Sequence, residues 1–572
     1  MKDHRRLLSG LLAAVMVMSQ SAPVLAAESV NAVPAADQAV ATDSLEAYGF
    51  PGGYELDAEA MELKEDMAAN GMVATLEVSE EGRDYREGKI WFLADDREDA
   101  EAIAGSYGAT LINFSYGVGT AELNGGKTVL DAVTAAADTG SQLPPVEPVY
   151  ISEIEPDVET DGNDDLDASG ASVTVEPALT WKDYLVGNNS KEDDSAYQDP
   201  ILDNPDPLLT DPSNLEDSKT QYQYQHDQVN TWEAWGSSIG SPDVKVAVVD
   251  TGVFADHEDF IDPSGKSIVV KAVDVTKSKA GEVTGEHGTH VAGIIGALVN
   301  NGKGGAGIAP GVSIYSYNVC YCYEGRMDGD DIARGISAAM GKDESGKMVE
   351  EPADIINMSL GSTNYSASEC ALIKQAYEDG ICVYASAGNN FTNVRCYPAA
   401  YTSTKDTGIV SVGSTDYNGK RADYSNFGSW VTVCAPGTNI RSTVPYFKGK
   451  DNKDAYKHTR PTSTGEEIYH VLPVDTLSNN CYETMSGTSM AAPVVTGVAA
   501  LYLSAYGPSL GGSKVLVGRD LPKKMKELLL SGGTEVKDLG KRVNAGAMFS
   551  KESKTPAIIA LDDEYNQVPK DK

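Results

Sequence analysis

From residue 207 onward the chain alternates between two hydrophobic patterns. Short unbroken runs of β-branched and aliphatic residues, of which residues 244–249 are the clearest, alternate with stretches whose apolar positions recur at helical spacing. Unbroken apolar strands are typical of a parallel sheet that is buried on both faces. We therefore predict an α/β domain with a parallel sheet over residues 207–549, followed by a tail at residues 550–572.

A smaller pattern of strand-like and helical segments precedes this domain and covers about sixty residues. The segments are a strand, a helix, two strands, a helix and a strand, at residues 89–94, 100–107, 110–123, 128–137 and 146–150. The order βαββαβ predicts a small ferredoxin-like α+β domain over residues 89–151. Residues 27–88 show no such pattern and are interpreted as a leader or N-terminal extension of that domain.

The acidic side chains are unevenly distributed along the chain. The 572 residues include 85 acidic and 45 basic side chains, a net charge of -40. Residues 152–206 are acidic, rich in Asn, Asp and Pro, and poor in apolar side chains, which predicts a solvated linker. Residues 28–206 carry a net charge of -32, whereas residues 207–572 carry -10. This acidity argues against a nucleic acid or an anionic membrane as a partner.

The N-terminus has the pattern of a secretory signal peptide at residues 1–26. Lys2, Arg5 and Arg6 form a basic start, residues 7–18 are mostly apolar, and small side chains stand near Ala26. The apolar run is too short to span a bilayer. We therefore expect a secreted, extracellular protein, released without a membrane anchor and monomeric.

The seven cysteines do not predict a disulfide framework. Their number is odd, so a monomer keeps at least one free thiol, and their spacing completes no zinc pattern. Which of them pair is left open. They are Cys320, Cys322, Cys370, Cys382, Cys396, Cys434 and Cys481.

Three motifs of the large predicted domain carry an aspartate, a histidine and a serine. Asp250 begins Asp-Thr-Gly at the end of the strand at residues 244–249, at the sheet edge where α/β proteins bind ligands. His287 begins His-Gly-Thr-His-Val-Ala-Gly, and Ser489 stands in Gly-Thr-Ser-Met-Ala-Ala-Pro at the start of an Ala/Val-rich helix. Each motif alone has an ordinary structural interpretation, as a turn, a packed ring or a helix cap. Together they supply the side chains for nucleophilic acyl transfer.

These motifs resemble those of the subtilisin family of serine peptidases over about residues 207–549. The resemblance implies a three-layer catalytic domain and a serine endopeptidase whose triad is Asp250, His287 and Ser489. It also implies that Asn389, in Ser-Ala-Gly-Asn, stabilises the oxyanion, and that His290 is structural. The segment Ser359, Leu360 and Gly361 would be the edge strand that pairs with a bound polypeptide substrate.

The same resemblance implies a structural calcium ion, although no cofactor is required for the chemistry. Asp259 and the loop from Leu298 onward correspond to family ligands, with Asn301 as the amide ligand and Asn300 as its alternative. Hard oxygen ligands of this kind suit calcium.

The small βαββαβ domain resembles the inhibitory propeptide of the same family, which implies a zymogen whose own propeptide inhibits it. Cleavage is expected between residues 150 and 207. Residues 446–481 form a long polar insertion of unassigned role, and Cys396 lies near the expected specificity pocket.

Three other functions compete with this interpretation. An aspartic peptidase could use Asp138 and Asp250, each of which begins Asp-Thr-Gly. An esterase could use Ser238, because residues 236–240 fit Gly-x-Ser-x-Gly, although that motif needs a preceding strand and a following helix. A non-catalytic regulatory or binding protein on the subtilisin fold is the third alternative.

Overall fold

The structure is a computed structural model that describes residues 49–153, 223–276, 285–299, 301, 303–321, 326–403, 406–445, 447–448, 454–461, 467–473, 482–512, 514–550, 560–561 and 567–568. All of them belong to one compact unit, Ser44–Lys572. The predicted signal peptide, most of the predicted linker and Asn300 lie outside the described residues. Below, the small domain is residues 49–153 and the large domain is residues 223–550.

The small domain contains the predicted βαββαβ order, preceded by two further helices. Its elements are α1 (Ala58–Ala69), α2 (Met72–Val78), β1 (Tyr85–Leu93), α3 (Arg97–Ser106), β2 (Ala109–Ser115), β3 (Val118–Leu123), α4 (Val129–Ala137) and β4 (Glu147–Glu153). The strands pair in the antiparallel order β2-β3-β1-β4. A capping box between Thr128 and Asp131 begins α4, whose apolar face is buried.

Helices α1 and α2 lie in residues 27–88, where the sequence indicated no regular element. The buried side of α1 includes Lys64, Asp66 and Met67, so its hydrophobic periodicity is weak. Lys64 donates to the backbone carbonyl of Leu143 at 2.8 Å. The Tyr365 hydroxyl, in the large domain, donates to Asp66 at 2.6 Å. The helix is therefore held by buried polar contacts that a sequence pattern does not reveal.

The large domain alternates strands and helices. Its elements are α5 (Gln225–Gln228), α6 (Thr231–Trp235), β5 (Lys245–Asp250), β6 (Val269–Asp274), α7 (Glu286–Gly296), β7 (Ser313–Asn318), β8 (Arg326–Asp328), α8 (Gly329–Ala339), β9 (Ile355–Met358), α9 (Ala367–Glu378), β10 (Cys382–Ser386), β11 (Val410–Thr415), β12 (Val433–Pro436), β13 (Ile440–Thr443), β14 (Phe447–Lys448), β15 (Asp454–Pro461), β16 (Glu467–Pro473), β17 (Tyr482–Met485), α10 (Thr488–Tyr506), α11 (Asp520–Ser531), β18 (Thr534–Val536), β19 (Gly540–Arg542) and α12 (Ala545–Ser550). Two short strands, β20 (Ala560–Leu561) and β21 (Gln567–Val568), pair with each other beyond it.

The central sheet has nine strands in the order β18-β19-β12-β11-β10-β9-β5-β7-β6. Neighbouring strands are parallel except β18, which pairs antiparallel with β19. Side chains of β5 alternate between the two faces: Val246 and Val248 pack with α7 and α10, while Ala247 and Val249 pack with α8 and α9. Because both faces of the inner strands are buried, a strand such as β5 contains a long unbroken apolar run. The predicted three-layer parallel-sheet fold, preceded by a small α+β domain, is confirmed.

The small domain packs directly on the large domain. One apolar cluster runs from Trp91 in β1 to Ile332 in α8 and Ile373 in α9. Strand β4 also pairs antiparallel with β8, so the small sheet continues into the large domain as β2-β3-β1-β4-β8. The two domains therefore share both a hydrophobic core and a sheet.

Among the described residues, the helical stretch Thr488–Ser509 is long and apolar enough to cross a membrane. However, 89% of its apolar window is buried inside the molecule, because α10 packs between the central sheet and α7. The stretch therefore has the environment of a core helix.

Candidate active site

Asp250 and His287 form a buried pair at the carboxyl edge of the central sheet. Asp250 ends β5 and is fully buried, and His287 lies in the first turn of α7. Nδ1 of His287 is 2.8 Å from Oδ1 and 3.0 Å from Oδ2 of Asp250. A carboxylate at this distance favours the tautomer with hydrogen on Nδ1, which leaves Nε2 as the basic nitrogen.

Small residues allow α7 to approach β5 this closely. A Cβ on Gly288 would lie 2.2 Å from the carbonyl oxygen of Gly252, so only glycine fits at residue 288. The Gly288 N–H donates to the hydroxyl of Thr251 at 2.9 Å, and the Thr251 N–H donates to Asp250 at 2.7 Å. The Asp-Thr-Gly and His-Gly-Thr motifs are thus two halves of one contact.

His290, the second histidine of that motif, lies in a different environment. It is fully buried, and its Nε2 is 3.1 Å from the carbonyl oxygen of Ile440 and 3.0 Å from that of Glu483. Burial lowers the pKa of His290 to about 3, so the ring stays neutral at ordinary pH. It connects α7 to β13 and β17.

Ser489 is the second residue of α10, close to the positive end of that helix. Pro493 lies four residues later and has no N–H to donate to the carbonyl of Ser489. The hydroxyl of Ser359 donates to that carbonyl at 2.8 Å instead, and the Ser489 hydroxyl donates to the Ser359 carbonyl at 3.2 Å. The two serines therefore hold each other in place.

A network of buried polar side chains supports the contact between Ser359 and Ser489. Thr496, on α10, donates to Asn357 at 2.8 Å, and Asn357 donates to the Ser359 hydroxyl at 3.0 Å. All three side chains are fully buried, so an unpaired group among them would be costly.

Asn389 lies beside the start of α10. Its Oδ1 accepts from the backbone N–H of Thr488 at 2.8 Å and from the Thr488 hydroxyl at 3.0 Å. Because Oδ1 is occupied in this way, the orientation of the amide is fixed and Nδ2 points away from Thr488. A Cβ on Gly487 would lie 3.1 Å from that Nδ2, so glycine leaves the amide group room beside Ser489.

The predicted edge segment follows β9 and lies next to the small domain. Ser359 and Leu360 are buried, and Leu360 and Gly361 line a pocket together with Trp91 and Tyr150 of the small domain. A Cβ on Gly361 would lie 2.6 Å from Sγ of Cys396, so Cys396 packs directly beneath this segment.

The predicted metal ligands Asp259 and Asn301 lie together. Asp259 is fully buried; its Oδ1 accepts from Asn301 Nδ2 at 2.8 Å and its Oδ2 from the Gly305 N–H at 3.4 Å. The Leu298 N–H donates to the backbone carbonyl of Asp259 at 2.9 Å. Gln223, which the sequence analysis did not identify, lies beside them. Its Oε1 accepts from the Ala306 N–H at 2.9 Å and lies against Gly305, while its Nε2 donates to the carbonyl of Arg441 at 3.1 Å. One carboxylate and two side-chain amides carry the hard oxygen atoms that calcium prefers, so the types of ligand atom fit calcium. Here Asn301 presents Nδ2 to Asp259, and its Oδ1 accepts from the Lys303 N–H at 2.9 Å.

The structure separates the residues of the two competing enzyme classes. Asp138 caps the end of α4 in the small domain and accepts from the Gly140 N–H at 2.9 Å, whereas Asp250 pairs with His287. Ser238 follows helix α6 and precedes strand β5, which is the reverse of the strand–serine–helix order that an esterase needs. The fold thus gives no support to either enzyme.

Five cysteines fall within the described residues, and all of them are buried: Cys320, Cys370, Cys382, Cys396 and Cys434. Burial raises the pKa of the Cys382 thiol to about 12, as expected for a small hydrophobic side chain in a core strand.

Comparisons with known proteins agree with this geometry. Residues 241–538 match the model of the Subtilase family. The chain is 34% identical over 276 residues to subtilisin DY of Bacillus licheniformis, which covers 48% of this chain and 80% of that protein. It is also 34% identical over 283 residues to thermitase of Thermoactinomyces vulgaris, covering 49% of this chain and 82% of that protein.

A solved structure is similar over most of the chain. Fervidolysin from Fervidobacterium pennivorans, a keratinolytic enzyme related to subtilisin, has a TM-score of 0.56 and 25% sequence identity. The match covers 82% of this chain and 62% of that one. The predicted family and the predicted class of enzyme are confirmed: the chain belongs to the subtilase family and is a subtilisin-like serine endopeptidase.

Proposed function

We propose that Ser489 is the nucleophile of this peptidase, with His287 as its general base and Asp250 as the group that orients the histidine. The observation that carries the proposal is the buried contact of 2.8 Å between Asp250 and His287 at the end of β5. The neighbouring strand β9 is followed by Ser359, which hydrogen-bonds Ser489 at the start of α10. Ser489 would attack the carbonyl carbon of the peptide bond while Nε2 of His287 takes its proton. The same nitrogen would then protonate the leaving amine, and water would release the acyl group by the reverse path.

Asn389 and the Ser489 backbone N–H are proposed to stabilise the oxyanion. The hydrogen bonds from Thr488 orient the Asn389 amide before substrate arrives, so no reorganisation is needed when charge develops. The N-terminus of α10 adds a favourable dipole at the same place.

A general test separates this chemistry from that of an aspartic peptidase. A fluorophosphonate should abolish casein digestion by the secreted protein, and pepstatin should leave it unchanged, because only a nucleophilic serine is phosphonylated. The opposite pattern of inhibition would overturn the proposal.

We also propose that the small domain is an inhibitory propeptide of an exported zymogen. Strand β4 occupies the edge offered by β8, with Ile151 opposite Asp328 and Ser152 opposite Met327. Tyr150 and Ser152 of β4 line one pocket with Leu360 and Gly361 of the predicted edge segment, so β4 lies in the cleft between that segment and β8. A bound polypeptide would need the same cleft, so the small domain competes with substrate. Its cleavage is proposed to fall between residues 150 and 207, and the acidic residues 152–206 would be removed with it.

Glu147 gives the docking of the small domain a pH dependence. Its carboxylate is fully buried and accepts from the Ser368 N–H at 2.7 Å, at the first turn of α9. Burial raises the pKa of Glu147 above its ordinary value. The docked state therefore binds a proton more readily than the free chain. The stabilisation that protonated Glu147 gives to the docked small domain is complete below pH about 4.3, the ordinary pKa of a glutamate. It is lost as the pH rises through the raised pKa of Glu147.

The matching prediction uses an uncleaved Ser489→Ala chain, which we expect to remain intact. Adding Glu147→Gln should raise its Tm relative to the parent as pH increases from 4 to 7, because glutamine keeps an acceptor for Ser368 but carries no buried charge. Glu87→Gln, at an exposed position of β1, is the control and should show no such trend. A constant Tm difference across this pH range for Glu147→Gln would contradict the assignment.

A structural calcium ion is proposed at the cluster of Asp259, Asn301 and Gln223. When bound, the ion would stabilise the loop after α7 and take no part in the chemistry. The ammonium group of Lys303 donates to the backbone carbonyl of Glu258 at 3.3 Å. The alternative is therefore that Lys303, and not a calcium ion, holds this loop.

Calcium removal distinguishes these views. Because a ligand at 100 times its Kd stabilises by about 2.7 kcal/mol, excess calcium should raise the Tm of the Ser489→Ala chain and EGTA should reverse the effect. Asp259→Asn should abolish this response, and Asp256→Asn, an exposed neighbour, should preserve it. An identical calcium response with Asp259→Asn would exclude this site.

A further inference from the structure

Asp328, at the end of β8, holds an arginine of the small domain. Nε of Arg86 donates to the two carboxylate oxygens of Asp328 at 2.9 and 3.0 Å, and Nη2 is 2.9 Å from Oδ1. The guanidinium carbon of Arg86 also lies 4.6 Å from the centre of the Tyr321 ring. A guanidinium group therefore sits against both a carboxylate and an aromatic ring of the large domain.

The contact between Arg86 and Asp328 lies at β8, beside the cleft in which substrate would replace β4. Strand β8 pairs antiparallel with β4, and Ile151 is directly opposite Asp328. Side chains opposite each other in an antiparallel pair point to the same face, with Cβ atoms about 4.5–5.5 Å apart. A polypeptide that replaces β4 would thus place one side chain within reach of Asp328.

The two neighbouring carboxylates share a cation that belongs to the large domain. Asp330 and Asp331 lie with Asp328 in one acidic group at the start of α8, but both bind Arg334. The Arg334 side chain is 2% exposed, and Thr120 of the small domain also contacts it. Arg334 belongs to the large domain and stays when the small domain leaves, whereas Arg86 is lost. Asp328 then becomes the carboxylate of this group that has lost its cation.

Arg86 comes from β1 and reaches over β4 to Asp328, since β4 itself presents Ile151 at this register. A substrate brings no equivalent of β1, so the cation would have to come from its own strand. We infer that Asp328 and Tyr321 form a subsite that selects arginine or lysine at the substrate residue opposite Asp328, on the N-terminal side of the cleaved bond. This inference rests on the proposed function, because the small domain must leave and substrate must take its place.

The test is the cleavage profile of the mature enzyme on a mixed peptide library. Wild type should enrich arginine and lysine at one upstream position by roughly two- to fivefold, the range expected for a cross-strand pair of opposite charge. Asp328→Asn should lose this enrichment. Asp243→Asn removes the same charge at the opposite edge of the sheet, before β5, and should retain it.

A charge reversal provides a second variant that keeps the contact in the zymogen. Arg86→Glu combined with Asp328→Arg preserves opposite charges between the domains, so the chain should still mature. The mature enzyme should then favour aspartate or glutamate at the same upstream position.

The outcomes separate the two proposals. If casein digestion depends on Ser489 but the profile is the same in wild type, Asp328→Asn and the charge-reversed enzyme, the subsite is wrong and the proposed function stands. If casein digestion does not depend on Ser489, the proposed function itself fails.

Discussion

Ser489→Ala is expected to abolish peptide hydrolysis and to leave the chain uncleaved. Without the hydroxyl, His287 has no nucleophile to activate and no acyl-enzyme can form. The loss in kcat should be about 10⁶-fold, a magnitude taken from a related subtilisin rather than from this structure. The measurement is casein digestion together with the intact mass of the secreted product.

The control for this variant is Ser504→Ala on the same helix. The Ser504 hydroxyl donates only locally, to the backbone carbonyl of Ala500 at 2.7 Å, so its removal should change neither activity nor mass. Ser489→Ala leaves the fold intact because its hydroxyl contributes one hydrogen bond of 3.2 Å to Ser359. A Ser489→Ala chain that matures and digests casein at the wild-type rate would refute the catalytic assignment.

Asn389→Leu is expected to lower kcat by about 10²–10³-fold with little change in KM. Leucine has a similar volume but cannot donate to the oxyanion, and that donor matters mainly in the transition state. This magnitude is that of a subtilisin that has lost one oxyanion donor. Single-turnover kinetics on a fluorogenic peptide would measure the effect on chemistry alone.

The matched control is Asn390→Ala, which removes an exposed amide from the next residue. It should leave kcat within about twofold, since surface side chains away from the chemistry contribute little. A loss of the same size in both variants would indicate disturbance of the loop instead of a lost oxyanion donor.

The large domain was predictable because its signals are local. Strand β5 is buried on both faces, so the apolar run at residues 244–249 predicts a parallel strand without any knowledge of its neighbours. The same holds for Asp250, His287 and Ser489, which stand in long motifs whose glycines are required by close backbone contacts such as that at Gly288. Local sequence therefore specified both the core and the predicted catalytic side chains.

The contacts between the two domains were not predictable in this way. Glu147 caps α9 across 221 residues of sequence, and Asp66 binds Tyr365 across 299 residues. A glutamate next to apolar residues, as at Glu147, was the one available signal. Helix α1 gave none, because it buries Lys64 and Asp66 where an amphipathic helix would bury apolar residues.

The residues that support the predicted oxyanion and calcium side chains were missed for a related reason. Thr488 orients Asn389 through its backbone N–H and its hydroxyl, and Gln223 reaches the loop beside Asp259 and Asn301 by accepting from the Ala306 N–H. Such contacts depend on how distant segments pack, which periodicity and motif spacing do not encode.

The most direct test of the central claim is to map a fluorophosphonate on the mature enzyme by tandem mass spectrometry. The account predicts one adduct per molecule, on Ser489, and its absence in His287→Ala because the hydroxyl is then no longer activated. An adduct on a different serine, or equal labelling of Ser489 in His287→Ala, would contradict it.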